Sequence, residues 1–235
     1  MSWLLLTIII FLILYIASAI VWPDVKILKN QDPNSTAFME YREGQWGSHN
    51  DNKPLRYKWI PLNQISPNVR FAVVVAEDKN FYQHKGFDFV AIKAAIKQDI
   101  KEKSFSFGGS TISQQLVKNL YLSPSKNPLR KIREAILTWR IERELSKERI
   151  LELYLNVVEW GDGIFGIEEA AELYYGKDAA SLSLNEATRL AVVLPSPIKY
   201  TPIEQSQYVN SRVRFQYDFY NLIDAKNRSQ SNTDK

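Results

Sequence analysis

The sequence predicts a mainly α-helical protein carried on one N-terminal transmembrane helix. Three observations lead there. The run Trp3 to Trp22, WLLLTIIIFLILYIASAIVW, contains no charged residue. From Trp59 onward, nearly every segment carries a helix start, a helix stop or 3.6-residue apolar spacing. Alternating apolar and polar residues, the mark of half-buried strands, are scarce.

At 1.5 Å per residue, about 20 residues cover a hydrocarbon core of about 30 Å. Trp3 and Trp22 fall at the two interfaces, where amphipathic rings settle. A cleaved signal peptide, for which Ala17-Ser18-Ala19 would supply a small-residue cleavage site, is disfavoured. The apolar run is longer than an h-region, and no basic residue precedes it. Residues 1–23 therefore read as an anchor. Lys26 and Lys29 follow it, so positive-inside counting favours a cytoplasmic C-terminus.

Composition excludes several chemistries. Cysteine is absent, which removes a disulfide framework, thiolate catalysis and a Cys-based zinc site. His49 and His84 are too few for a His-based metal cluster, and neither a nucleophile elbow nor a P-loop occurs. The net charge of +4 is modest; beside an anchor it points to membrane phosphate rather than nucleic acid.

Residues 24–58 are polar and hold Pro33, Gly44, Gly47 and Pro54, so they read as a juxtamembrane connector with little regular structure. A globular domain over 59–225 follows. Ser66-Pro67 caps and opens a helix whose apolar run ends at Ala76, leaving Glu77 at its C-terminal end. Asp88 caps a segment with Phe89, Ile92, Ile96 and Ile100 on one face and Lys93, Lys97 and Lys101 on another. Thr111 with Gln114, and Ser183 with Glu186, have capping-box form, and Gly176 is a helix stop. Glu204 to Ala225 reads as a last amphipathic helix and 226–235 as a disordered tail.

In Ala76 to Gly86, the acidic pair Glu77-Asp78 precedes Phe81, His84 and Gly86. A carboxylate at a helix C-terminus faces the negative end of the dipole, which costs on the order of a few tenths of a kcal/mol and raises its pKa. That suits a general base, and it equally suits a plain cap or ion pair. His84 reads as structural, fixing the loop that carries Glu77.

Gly108-Gly109 runs into a helix whose free N–H groups suit an anion. Along it Thr111, Gln115 and Lys118 make one polar wall, opposite Ile112, Leu116 and Leu120; a solvated face is the alternative. In Arg130-Lys131-Ile132-Arg133-Glu134 the cations crowd a first helical turn, where the dipole disfavours them. If Lys118, Arg130 and Lys131 converge they suit a pyrophosphate, Arg as a planar fork and Lys as a point charge. Spacing alone also allows a charged surface helix.

Five stretches in order carry a resemblance: Glu77-Asp78 to Gly86, Gly108 to Asn119, Arg130 to Glu134, Lys147 to Gly176 with Ile150-Leu151-Glu152-Leu153-Tyr154-Leu155-Asn156, and Leu182 to Pro197. Over about Trp59 to Pro202 the chain resembles glycosyltransferase family 51. With one anchor and no penicillin-binding module, it is similar to that family's monofunctional biosynthetic peptidoglycan transglycosylases.

The resemblance implies a lysozyme-like helical lobe with a smaller membrane-proximal lobe between Gly86 and Gly109. Within it Lys101 to Phe107 would meet lipid phosphates while Phe105 and Phe107 dip into the interface. It implies a glycosyltransferase that polymerises lipid II into linear glycan strands, single-pass in the bacterial cytoplasmic (inner) membrane. The catalytic domain would lie on the periplasmic face, against the charge count.

In that scheme Glu77 deprotonates the acceptor's 4-hydroxyl for inverting attack on the donor. Lys118, Arg130 and Lys131 neutralise the departing undecaprenyl pyrophosphate, so no strong acid is needed. Glu134 matches the family's second essential carboxylate, orienting those cations or helping to hold a divalent cation, Mg or Mn, on the pyrophosphate. No organic cofactor is implied. Thr111, Gln115, Asn119, Asp78 and Lys199 match substrate-contacting or site-supporting positions.

The implied partners are lipid II, the nascent glycan chain, membrane lipids, and other cell-wall synthases and division proteins. Three departures from the family pattern stand out: Ser113 where Thr is usual, Lys79 where Arg is common, and no glycine in Ala191 to Pro195. A lone catalytic Glu would also suit a muramidase-like hydrolase, but that leaves the three cations without a role.

Overall fold

The computed structural model describes residues 2–48, 53–102, 109–124 and 127–233. The expected interfacial stretch from Lys103 to Phe107, Gly108 and His49 lie outside them. The helices are α1 (Ser2–Val21), α2 (Ala37–Ser48), α3 (Pro67–Glu77), α4 (Phe89–Glu102), α5 (Ile112–Tyr121), α6 (Pro128–Glu144), α7 (Lys147–Val157), α8 (Ile167–Tyr175), α9 (Leu184–Val193) and α10 (Gln207–Thr233). Short strands β1 (Arg56–Tyr57), β2 (Glu159–Gly161) and β3 (Ile164–Phe165) accompany them, so the protein is mainly α as expected. The chain divides into two compact units, Met1–Leu55 with Asn80–Val158, and Arg56–Lys79 with Glu159–Lys235.

In the first unit α5 packs against α2, α6 and α7. Ile112, Leu116, Val117 and Leu120 are buried there. Its N-terminus carries the expected capping box: the Thr111 side chain accepts from the Gln114 N–H and the Gln114 side chain from the Thr111 N–H. Two backbone donors that the helix itself cannot satisfy are thereby paired. Asn127 and Pro128 start α6 in the same local fashion.

Helix α2 corrects the expectation of an irregular connector. Met39 and Trp46, seven residues apart and so on one face, are both buried, and α2 packs on α5. Burying two large apolar side chains outweighs the roughly 1 kcal/mol that each helical glycine costs.

Helix α1 is apolar and long enough to cross a membrane, with the side chains from Leu4 to Leu14 largely exposed. Its last turns pack on α6. The Tyr15 hydroxyl donates to the Leu129 carbonyl at 3.2 Å. Arg133 donates to Ser18 Oγ and to the Trp22 carbonyl, each at 3.2 Å, and Arg140 to the Ala19 carbonyl at 3.1 Å. The end of α1, where carbonyls lack helical partners, is thus capped by two arginines of α6. Beyond it Arg149 donates to the carbonyls of Leu28 at 2.7 Å and Gln31 at 2.9 Å and pairs with Asp32 at 2.8 Å.

In the second unit β3 is the middle strand, parallel to β1 and antiparallel to β2. Helix α3 packs on α9 through buried Val69, Ala72 and Val73 on one side and Ala187, Leu190 and Ala191 on the other. The predicted caps appear: Ser66 accepts from the Asn68 N–H, Ser183 and Glu186 form a capping box, and Gly176 closes α8 in the left-handed region at φ +63. Helix α10 packs on α9 and stays helical to Thr233, past Ala225 where the disordered tail was expected to begin. Low apolar content alone does not break a helix, and the stretch holds neither Gly nor Pro.

Candidate active site

The residues singled out from the sequence fall on both units. On the second, Glu77 is the last residue of α3 and half-buried. Asp78 forms the C-cap, its N–H donating to the Val74 carbonyl at 2.9 Å, and is buried. The carboxylate therefore stands at the C-terminal end of a helix, as its position in the sequence predicts. The next residue, Lys79, lays its ammonium over the Phe219 ring at 4.5 Å and the Phe215 ring at 5.2 Å. Such cation–π contacts contribute about 0.5 to 1 kcal/mol at exposed sites, and here they clasp the chain leaving α3 to α10.

Lys199 lies on the turn after α9, its N–H bonded to the Ser196 carbonyl at 3.1 Å and its ammonium 5.1 Å from the Tyr200 ring. Tyr200 stacks on Tyr208 at 3.9 Å. Arg189 ties the same segment down by donating to the carbonyls of Pro202 and Glu204. The missing glycine near Pro195 thus leaves this turn well held.

On the first unit the cations of α6 separate into two sets. Glu134 is 2% exposed, and its two oxygens accept from Arg130 at 3.2 Å and from Lys131. A carboxylate buried to that extent is not part of a solvated helix face, although the Lys131 side chain that pairs with it is 54% exposed. The carboxylate also offsets the cost of placing positive charge at a helix N-terminus. Arg133, in the same sequence cluster, belongs instead to the α1 contacts.

Lys118 is half-buried in the last turn of α5. Helices α5 and α6 pack together, so Lys118 and Arg130 flank the same 122–127 connection.

The polar wall of α5 is turned into protein. Thr111 and Asn119 are buried. The Thr111 hydroxyl donates to the Gly86 carbonyl at 2.7 Å, the Asn119 amide to the Gln115 carbonyl at 2.8 Å, and the Tyr154 hydroxyl to Gln115 Oε1 at 3.0 Å. Thr111 is therefore a supporting residue rather than part of a solvated face.

Gly86 explains its own identity: its φ is +90, and a Cβ there would stand 2.9 Å from Thr138 Cγ2 and 3.0 Å from Glu142 Cγ. His84 accepts from the Gly86 N–H at 3.1 Å and meets Phe81 edge-on, a structural role that fixes the turn.

Sequence reasoning missed Glu142, and named Lys147 and Tyr154 only within a family stretch, with no role. Ser113 donates to Glu142, which also pairs with Lys147 at 2.7 Å, and the Lys147 ammonium lies 4.4 Å from the Phe81 ring. Ser113 and Glu142 are 29 positions apart, and Gln115 and Tyr154 39, so no local pattern could reveal them.

Among the described residues no three His, Asp or Glu side chains converge as ligands, and both Glu134 oxygens are engaged by cations.

Residues 45–218 match the family model described as Transglycosylase. The chain is 50% identical over 172 residues to a biosynthetic peptidoglycan transglycosylase of Azoarcus sp., covering 73% of this chain and 74% of that one. It is 46% identical over 183 residues to a protein of the same name from Nitrosospira multiformis, covering 78% and 80%. A third, from Laribacter hongkongensis, is 41% identical over 194 residues, covering 80% and 85%.

Proposed function

This chain belongs to the transglycosylase family, and from that premise we propose that it is a peptidoglycan glycosyltransferase polymerising lipid II into linear glycan strands with release of undecaprenyl pyrophosphate. The observation that carries the reading is the buried Glu134, which fixes Arg130 and Lys131 as a pair at the start of α6. A hydrolase reading leaves those cations without a role.

Glu77 accepts the proton of the acceptor's 4-hydroxyl as its oxygen attacks the donor's anomeric carbon. The bond from that carbon to the pyrophosphate oxygen breaks on the opposite face, its electron pair leaves with the pyrophosphate, and the configuration inverts. Charge grows on the leaving group, and Lys118, Arg130 and Lys131 meet it. Fixed donors of this kind are worth on the order of 10²- to 10³-fold in rate each. Gln115 and Asn119 shape the wall behind Lys118, Thr111 fixes the start of α5, and Asp78 and Lys199 contact the substrate or support the site. No step is routed through a metal ion.

Helix α1 anchors the chain in the cytoplasmic membrane, with the catalytic domain on the outer face where the head group of lipid II is presented. The length and apolarity of α1 support the anchor. The assignment of the outer face follows from the substrate.

The purified full chain incubated with lipid II should yield glycan that lysozyme digests, and Glu77→Gln should slow it by at least about 10³-fold. Polymerisation by Glu77→Gln at the wild-type rate, or release of soluble muropeptides from sacculi without use of lipid II, would overturn the reading.

A further inference from the structure

At the foot of α1 the first unit holds a half-open cavity of about 350 Å³ between the end of the anchor and the C-terminal half of α6. Ile20, Val21 and Trp139 give its lining apolar surface, and Lys26, Arg140 and Arg143 give it positive charge. The two carboxylates on its rim are engaged: Asp24 accepts from the Lys26 N–H at 3.0 Å, and Glu144 pairs with Lys29 at 3.1 Å. Arg143 stands 3.8 Å from Glu144 and over the Trp139 ring at 5.5 Å, with most of its side chain exposed.

A second observation points the same way. Trp22 and Trp139 are both exposed at the level where α1 ends, the depth at which indole rings settle between acyl chains and water.

We propose that this cavity binds the head group of an anionic phospholipid, its phosphate diester held by Lys26, Arg140 and Arg143 and its first acyl carbons lying against Ile20, Val21 and Trp139. The inference rests on α1 being a membrane span. The site is distinct from the cations that serve the substrate's pyrophosphate: Arg130 and Arg140 are about 15 Å apart along α6.

The test uses the full chain in nanodiscs of phosphatidylcholine mixed with phosphatidylglycerol, with retained lipid counted by native mass spectrometry after release into mild detergent. Phosphatidylglycerol should be retained selectively over phosphatidylcholine. Each cation near a membrane surface contributes about fivefold in affinity, so Lys26→Ala with Arg143→Ala should weaken retention by about 25-fold.

Equal retention of the two lipids, or undiminished phosphatidylglycerol in the double variant, overturns the proposal. So does displacement by millimolar inorganic phosphate, because the ligand is then a soluble anion. Flotation on pure phosphatidylcholine vesicles separates this from the underlying reading. A chain that floats yet retains no phosphatidylglycerol refutes the head-group site alone, and a chain that does not float refutes the anchor.

Discussion

Replacing Glu134 with Gln keeps the volume of a side chain that is 2% exposed and removes its charge. In the folded protein Glu134 Oε2 accepts from Arg130 at 3.2 Å and Oε1 from Lys131. Coulomb attraction at that separation, with an effective dielectric of about 20, is about 5 kcal/mol before desolvation. A bond to a charged group retains about 1.5 to 3 kcal/mol of it. The Lys131 side chain is 54% exposed, so its share is small.

Gln can still accept from one cation, but it turns an amide donor toward the other. The expected loss is about 2 kcal/mol, a fall in Tm of about 4 to 8 °C for a chain of this size. Activity should suffer more, because Arg130 is no longer aimed: kcat should drop about 10²- to 10³-fold.

Continuous lipid II polymerisation, run across pH beside thermal unfolding, measures both. If Glu134 acts only by orienting the cations, the shape of the kcat profile against pH is the same in Glu134→Gln as in wild type, and adding Arg130→Ala costs little more. A kcat within about twofold of wild type would refute the orienting role. Complete loss while Arg130→Ala alone costs under about tenfold would show that Glu134 takes part chemically.

Gly86→Ala should cost about 2 to 4 kcal/mol, from a positive φ together with a Cβ pressed on Thr138 and Glu142, read as a lower denaturant midpoint. Met39→Ala should cost about 2 to 5 kcal/mol, because α2 is part of the packed unit; an unchanged melting curve would return residues 37–48 to the status of a connector. Asp88 is held below the usual carboxylate range, first by the Ala91 N–H and also by Asn80. Its contribution is therefore complete above the unfolded value of about 3.9 and fades as pH falls through the lower folded value. Asp88→Asn should be less stable than wild type at neutral pH, with the gap between their melting temperatures closing in acid.

What the sequence made legible is what a few adjacent residues complete among themselves. Ser66-Pro67, Thr111 with Gln114, Ser183 with Glu186, and Gly176 all cap helices as predicted, because each cap closes within four residues. Glu77 at its helix end follows from the same kind of signal. Helix α2 was not legible, since its glycines argue against a helix and the α5 surface that stabilises it lies far along the chain. The wall of α5 was legible as a pattern but not as an environment: spacing groups Thr111 with Gln115 and Lys118, and only packing shows that Thr111 faces Gly86 rather than solvent.

The strip Arg130 to Glu134 carries this furthest. In sequence it is one cluster of positive charge, and on the helix it is two devices. Arg130 and Glu134, at i and i+4, share a face. Arg133 and Arg140, seven residues apart and so within about 20° of one another around the axis, share the face that caps α1. Because both devices stand on one helix, the depth at which α1 ends sets the depth of Arg130 and Lys131, the cations proposed to meet the pyrophosphate. A lipid-linked pyrophosphate is confined to that depth by its own chemistry, its tail in hydrocarbon and its charge in water. A flexible connector would let the domain drift from that plane. The contacts of Arg149 with Leu28, Gln31 and Asp32, and of Lys29 with Glu144, remove that freedom, as the proposed function requires of a chain whose substrate is held in a membrane.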